Sequence, residues 1–116
     1  MTTTTLTRRW GSAIITESDD PAEFTVRAVG YVGLGLIRAD YTAAKRYAQH
    51  RTTPWTYTVD VRAVTLPNPI NILYLSRLRH LPRIAEYRVI ASPGLQYRLL
   101  RLAAGLVGAT VTTDDA

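Results

Sequence analysis

The chain has two histidines, His50 and His80, and no cysteine. Without a thiol there is no cysteine nucleophile and no zinc site with sulfur ligands. A serine–histidine–acid arrangement would have to draw on Ser12, Ser18, Ser76 or Ser92. None of these sits in the Gly-x-Ser-x-Gly turn that exposes a nucleophilic serine. Paired carboxylates for acid–base work are missing from the body, where Asp40, Asp60 and Glu86 stand isolated. Glu17, Asp19, Asp20 and Glu23 do cluster, but without the alternating spacing of a calcium loop. These observations point to a non-enzyme with no cofactor and no resident metal.

Anion recognition is the chemistry for which the residues exist. Thirteen of the fourteen basic residues are arginine, the side chain best suited to phosphates and carboxylates. Between Phe24 and Thr113 there are twelve bases and three acids, a difference of +9. A nucleotide or another anion is therefore one partner to consider, although arginine-rich surfaces also follow from genomic base composition. The glycines of Gly30-Tyr-Val-Gly-Leu-Gly35 match neither the dinucleotide fingerprint nor the P-loop. They read as a turn. Nucleic acid ranks last, because no aromatic residues alternate with arginines outside the expected core.

The elements that must position these residues follow from periodicity. Trp55-Thr-Tyr-Thr-Val-Asp-Val61 alternates large apolar with small polar residues, the signature of a strand with one face buried. Tyr87–Ser92 reads as a second strand. Between them Asn68 is a good N-cap and Pro69 suits the first position of a helix running to Leu81, with Ile70, Leu73, Tyr74, Leu78 and Leu81 as its core stripe. Strand, helix, strand makes a βαβ unit with parallel strands and a right-handed crossover. Upstream, Arg9–Thr16 reads as an edge strand and Phe24–Gly30 as its hairpin partner. A helix then starts at Ile37, or at an Asp40 cap, and runs to Arg51 with Ile37, Tyr41, Ala44 and Ala48 inward. Downstream, a helix opens at Ser92-Pro-Gly94 with Leu95, Leu99, Leu102, Ala103 and Leu106 inward, and Ala109–Thr113 is a short last strand.

Threonine and arginine occupy one face of the strands at Phe24 and Trp55. A strand covered on both sides reads as continuously apolar, so the helices should pack mainly on one face of the sheet. The expected fold is a single α/β domain with one mixed sheet of four to five strands, an N-terminal hairpin followed by βαβαβ. Residues 1–8 read as a disordered N-terminus, 9–113 as the domain and 114–116 as an acidic tail. No apolar run approaches the ~20 residues of a membrane span, no segment reads as a signal peptide, and the absence of cysteine fits the cytoplasm.

This order of elements, with a strand ending Val59-Asp-Val-Arg62 and another ending Val89-Ile-Ala-Ser-Pro93, resembles the STAS domain shared by sulfate transporters and anti-sigma-factor antagonists. It is most similar to the bacterial proteins in which that fold occurs alone. The resemblance runs from about Phe24 to Thr113 and implies a non-catalytic interaction module. In the antagonists a serine or threonine in the turn before the second helix is phosphorylated; the matching turn here, Leu66–Asn71, has no hydroxyl. The resemblance implies that this turn and the helix after it, through Asn68, Pro69, Asn71, Ile72, Leu75 and Arg79, bind a partner protein or a second copy. The alternative anion site would sit where the strands' carboxyl ends meet three helix N-termini, with Arg38, Arg62, Ser92 and Gly94 as its residues.

Overall fold

The computed structural model describes residues 1–65 and 76–113, without the side chains of 104–107. Six strands form one sheet in the order of the chain. They are β1 (Thr2–Thr7), β2 (Gly11–Asp19), β3 (Ala22–Gly30), β4 (Trp55–Val64), β5 (Ile84–Ile90) and β6 (Thr110–Thr112). The first three pair antiparallel through tight hairpins. From β3 onward every pair is parallel. Two described helices connect them: α1 (Leu34–Gln49) joins β3 to β4, and α2 (Leu95–Val107) joins β5 to β6. Crossovers that advance one strand at a time and are all right-handed place their helices on the same face.

That face carries the core. Ala13 and Ile15 of β2, Phe24, Val26 and Ala28 of β3, Trp55, Tyr57 and Val59 of β4, Tyr87 and Val89 of β5 and Val111 of β6 are all buried. They are the alternate residues of each strand, brought into lateral rows by the register. Aromatic rings run through the centre. Phe24 lies 5.5 Å from Tyr47 and 5.6 Å from Tyr57, Tyr47 meets Trp55 edge-on at 5.3 Å, and Tyr57 meets Tyr87 edge-on at 5.2 Å. Two of their polar tips reach backbone carbonyls. Trp55 Nε1 donates to Pro82 at 2.8 Å and the Tyr47 hydroxyl donates to Ser18 at 2.6 Å. These bonds let large rings bury without stranding a donor.

The opposite face is open, as the threonine pattern predicts. One lateral row there reads Thr3, Thr16, Thr25, Thr58, Arg88, Thr110 across all six strands. Among the described residues of that face only Ile90 is fully buried; the rest are half-buried or exposed.

Four expectations need correction. The sheet has six strands, not four to five, because residues 2–7, read as disordered, form β1. Threonine is β-branched and favours the extended backbone, and β1 pairs with β2 along its whole length. The strand following Arg9 is thus internal rather than an edge. Helix α1 begins at Leu34, with Gly33 as N-cap, so Asp40 lies in its interior and caps nothing. In α2 the expected stripe is turned over: Leu95, Leu99 and Leu102 are exposed, while Tyr97 and Leu100 pack on the core. The middle helical segment is described only at its end, where 76–78 are helical and Leu78 and Leu81 are buried as expected.

Candidate functional site

The carboxyl edge of the parallel strands brings Arg62 and Ser92 together. The Ser92 hydroxyl donates to the Arg62 carbonyl at 3.4 Å, and Gln96 bridges the same two strands: its Oε1 accepts the Ser92 amide at 2.6 Å while its Nε2 donates to the Val61 carbonyl at 2.9 Å. The Arg62 guanidinium grips Asp60 with two bonds, Nε to Oδ1 at 3.0 Å and Nη2 to Oδ2 at 2.6 Å. Hydrogen bonding from Arg62 holds the Asp60 carboxyl below its ordinary range. A fork-on-fork pair of this kind is the geometry an arginine would otherwise offer an incoming anion. Gly94 adopts φ +98° with open space where a Cβ would sit, and its carbonyl accepts the Arg98 amide at 3.1 Å. Arg38 lies exposed on the second turn of α1, and no bond joins it to the Arg62–Ser92 pair.

Of the residues expected to bind a partner, Asn68, Pro69, Asn71, Ile72 and Leu75 lie outside the described residues. Arg79 is described and exposed. Its Nε donates to His80 Nε2 at 3.2 Å, and its aliphatic stem lies against Gly108, where an added Cβ would come within 3.0 Å of Arg79 Cδ. Arg79 therefore borders the C-terminal end of α2. Both histidines are exposed, and His50 Nδ1 bonds the Arg46 carbonyl at 2.8 Å.

The outward face of α2 carries three exposed leucines. Leu95, Leu99 and Leu102 are 73%, 53% and 81% exposed. Their i, i+4, i+7 spacing makes one row along the helix. Arg98 and Arg101 are exposed beside them, and α2 contains no acid. Arg101 stacks over the Tyr97 ring at 5.9 Å and approaches its hydroxyl at 3.4 Å. Sequence periodicity alone could not find this face. Leu95-Leu99-Leu102 and Tyr97-Leu100 are both helical stripes, and leucine outnumbers the rest in the first. The available signal was Gln96, a polar residue whose amide oxygen and amide nitrogen fit a strand-end contact and so turn that side of the helix inward.

A polar cluster lies inside the core. Asp40 is the one buried charged residue among those described. Its Oδ2 accepts the Tyr57 hydroxyl at 2.7 Å, while its Oδ1 and the buried Tyr87 hydroxyl have no partner. Burial raises the Asp40 carboxyl to about 7, opposed by the Tyr57 bond. Burial and the Asp40 charge push both Tyr57 and Tyr87 well above the ordinary phenol range.

A cleft of about 230 Å³ opens beside the start of β1, between Thr2, Glu17 and Asp19 on one wall and Arg46, His50 and Arg51 of the α1 end on the other. Asp19 holds Arg51 at 2.9 Å, and the Arg51 guanidinium lies over the Tyr47 ring at 5.0 Å. No helix among the described residues is long and apolar enough to cross a membrane.

No protein-family model matches the sequence, and no curated protein matches it either. Among solved structures the chain is similar to an uncharacterized protein of the DUF3478 family with a SpoIIAA-like fold from Shewanella loihica PV-4. The TM-score is 0.63 at 17% identity, over 95% of this chain and 93% of that one. An identity that low speaks for architecture alone, and here it agrees with the one-sided sheet and the unbroken strand order: the chain has a SpoIIAA-like, STAS-like fold.

Proposed function

We propose that the chain is a non-catalytic regulatory module that binds a protein partner, with the outward face of α2 as its docking surface. The observation that carries this reading is the row Leu95, Leu99, Leu102, left in water along one side of α2. A contiguous apolar strip on a small domain marks an interaction site more often than a packing accident. Arg98 and Arg101 flank the strip and α2 has no carboxylate, so the complementary partner presents acidic residues around an apolar groove or helix. Arg79, at the end of α2, belongs to the same basic border.

Leu99→Glu tests this. The side chain is half exposed, so the substitution leaves the melting temperature of the domain close to the wild-type value. It places a charge at the centre of the strip and abolishes the association. The expected result is an acidic protein that co-purifies from the native cell with the wild-type chain, rebinds as a purified pair with salt-sensitive affinity, and is lost with Leu99→Glu. A partner retained by both Leu99→Glu and Leu102→Glu would exclude this surface. Binding to anionic vesicles that Leu99→Glu removes would replace the protein partner with a lipid surface.

A further inference from the structure

The outer edge of β1 is open except at its C-terminal end, where Arg8 Nη1 donates to the Thr7 carbonyl at 2.9 Å. The Arg8 amide donates to the Gly11 carbonyl at 2.9 Å, and the register pairs Thr2 with Glu17 through Thr7 with Ser12. Antiparallel pairs alternate between bonded and non-bonded residues. Counting back from Arg8, the bonds to β2 fall on Leu6, Thr4 and Thr2. Thr3, Thr5 and Thr7 therefore turn their amides and carbonyls away from the sheet. Proteins usually blunt such an edge with charge, proline or a bulge. Residues 2–7 contain no charged residue and no proline, and the β1–β2 register runs without a bulge. The other edge differs: β6 has only three residues, too few to template a strand.

Charge is segregated along the same edge. Arg8 and Arg9 stand at the C-terminal end of β1, with Trp10, 67% exposed, beneath the Arg9 guanidinium at 4.8 Å. At the N-terminal end of β1, opposite Thr2, lie Glu17 and the hairpin carrying Asp19, Asp20 and Glu23, against Arg46 and Arg51 across the cleft. Four acids against two arginines and the Met1 amine leave that end negative, and the other end is positive.

We propose that two copies of this chain pair β1 against β1, antiparallel and about a two-fold axis, fusing two six-stranded sheets into one. Only the antiparallel arrangement sets each basic end against the partner's acidic end; a parallel one would oppose like charges. The two-fold is self-closing, because each copy spends its one long free edge. It also brings Trp10 beside the cleft at the partner's Thr2. This contact is separate from the leucine face of α2.

Sedimentation of the full chain over a concentration series tests it. The mass is expected to rise from 12.9 kDa to twice that value. Over the same series the amides of Thr3, Thr5 and Thr7 gain protection from hydrogen exchange. Thr5→Pro removes an outward donor at an edge position where proline is tolerated, and the chain stays monomeric with an unchanged circular dichroism spectrum. Arg8→Glu with Arg9→Glu changes no residue of β1, frees the Thr7 carbonyl from Arg8, and raises the dimer Kd by at least about tenfold; adding Glu17→Arg restores part of the loss. Leu99→Glu dimerises like wild type. A monomer at every concentration overturns the proposal. So does a dimer that ignores Thr5→Pro and the charge reversal, a dimer lost with Leu99→Glu, or growth to open-ended polymers.

Discussion

Asp40 shows how far a residue's surroundings can override its type. A carboxyl whose pKa rises from 3.8 to about 7 on burial keeps its proton in the native state over a range where the unfolded chain has lost it. Native protein then binds more protons than unfolded protein, and stability falls as pH rises through that window, by about 1.4 kcal/mol per unit at the steepest. Urea titrations from pH 4 to pH 7.5 should show the wild-type midpoint declining. Asp40→Asn removes the titration and should flatten the curve over the same range; a variant that kept the wild-type slope would acquit Asp40. The helical spacing of Leu36, Ile37, Asp40, Ala44, Tyr47 and Ala48 already places position 40 on the inner stripe. Residue type argued the other way, toward a cap, and no sequence feature says that Tyr57, seventeen positions on, will supply the bond. Spacing was the better guide here, since burial of a charge becomes tolerable through a partner distant in the chain.

At the scale of elements, close backbone approach decides as much as side chains do. Gly30 ends β3 at φ +79°, and a Cβ there would meet the Trp10 carbonyl oxygen at 2.6 Å. Gly94 also has a positive φ but faces open space. The backbone penalty for an L-residue, about 1–2 kcal/mol, applies to both, and the collision applies only to Gly30. Gly30→Ala should therefore lower the melting temperature clearly more than Gly94→Ala; equal shifts would mean that the β2–β3 edge gives way. Strands with strict alternation were legible in sequence: Trp55, Tyr57 and Val59 point inward and Thr56, Thr58 and Asp60 outward, as their order demands. Helix α2 was not, because leucines on both its flanks satisfy the same period and tertiary contacts, the Gln96 bridge and the packing of Tyr97 and Leu100, fix the rotation. The threonine run of β1 was illegible for the opposite reason: identical residues have no period to read.

For the whole molecule, the strands lie in chain order, each connection moving one place, under the rule that parallel crossovers are right-handed. That rule, with the alternation of the strands and the two strand-end motifs, is why the fold could be read from sequence, and it is shared by a structure only 17% identical that superposes over nearly the full chain. The candidate surface did not follow from it, since the rule says which face a helix covers and not which residues it leaves in water. The rule also ranks the elements by importance. Strands β3, β4 and β5 carry most of the sheet's share of the core, whereas β1 contributes only the half-buried Leu6. A chain beginning at Arg9 should thus retain the native circular dichroism spectrum and a cooperative melt, with the midpoint lowered by the exposure of Ala13 and Ile15. Loss of cooperativity would make β1 integral to the core.

That same first strand is spelled Thr-Thr-Thr-Thr-Leu-Thr. Sliding it along β2 by two residues exchanges threonine for threonine at half of the positions, and sliding it by one shows a hydroxyl and a methyl to either side of the sheet. Only the half-sunk Leu6 and the turn at Arg8–Gly11 distinguish the observed alignment from its neighbours. The alignment of the outermost strand thus hangs on a single leucine side chain and one loop.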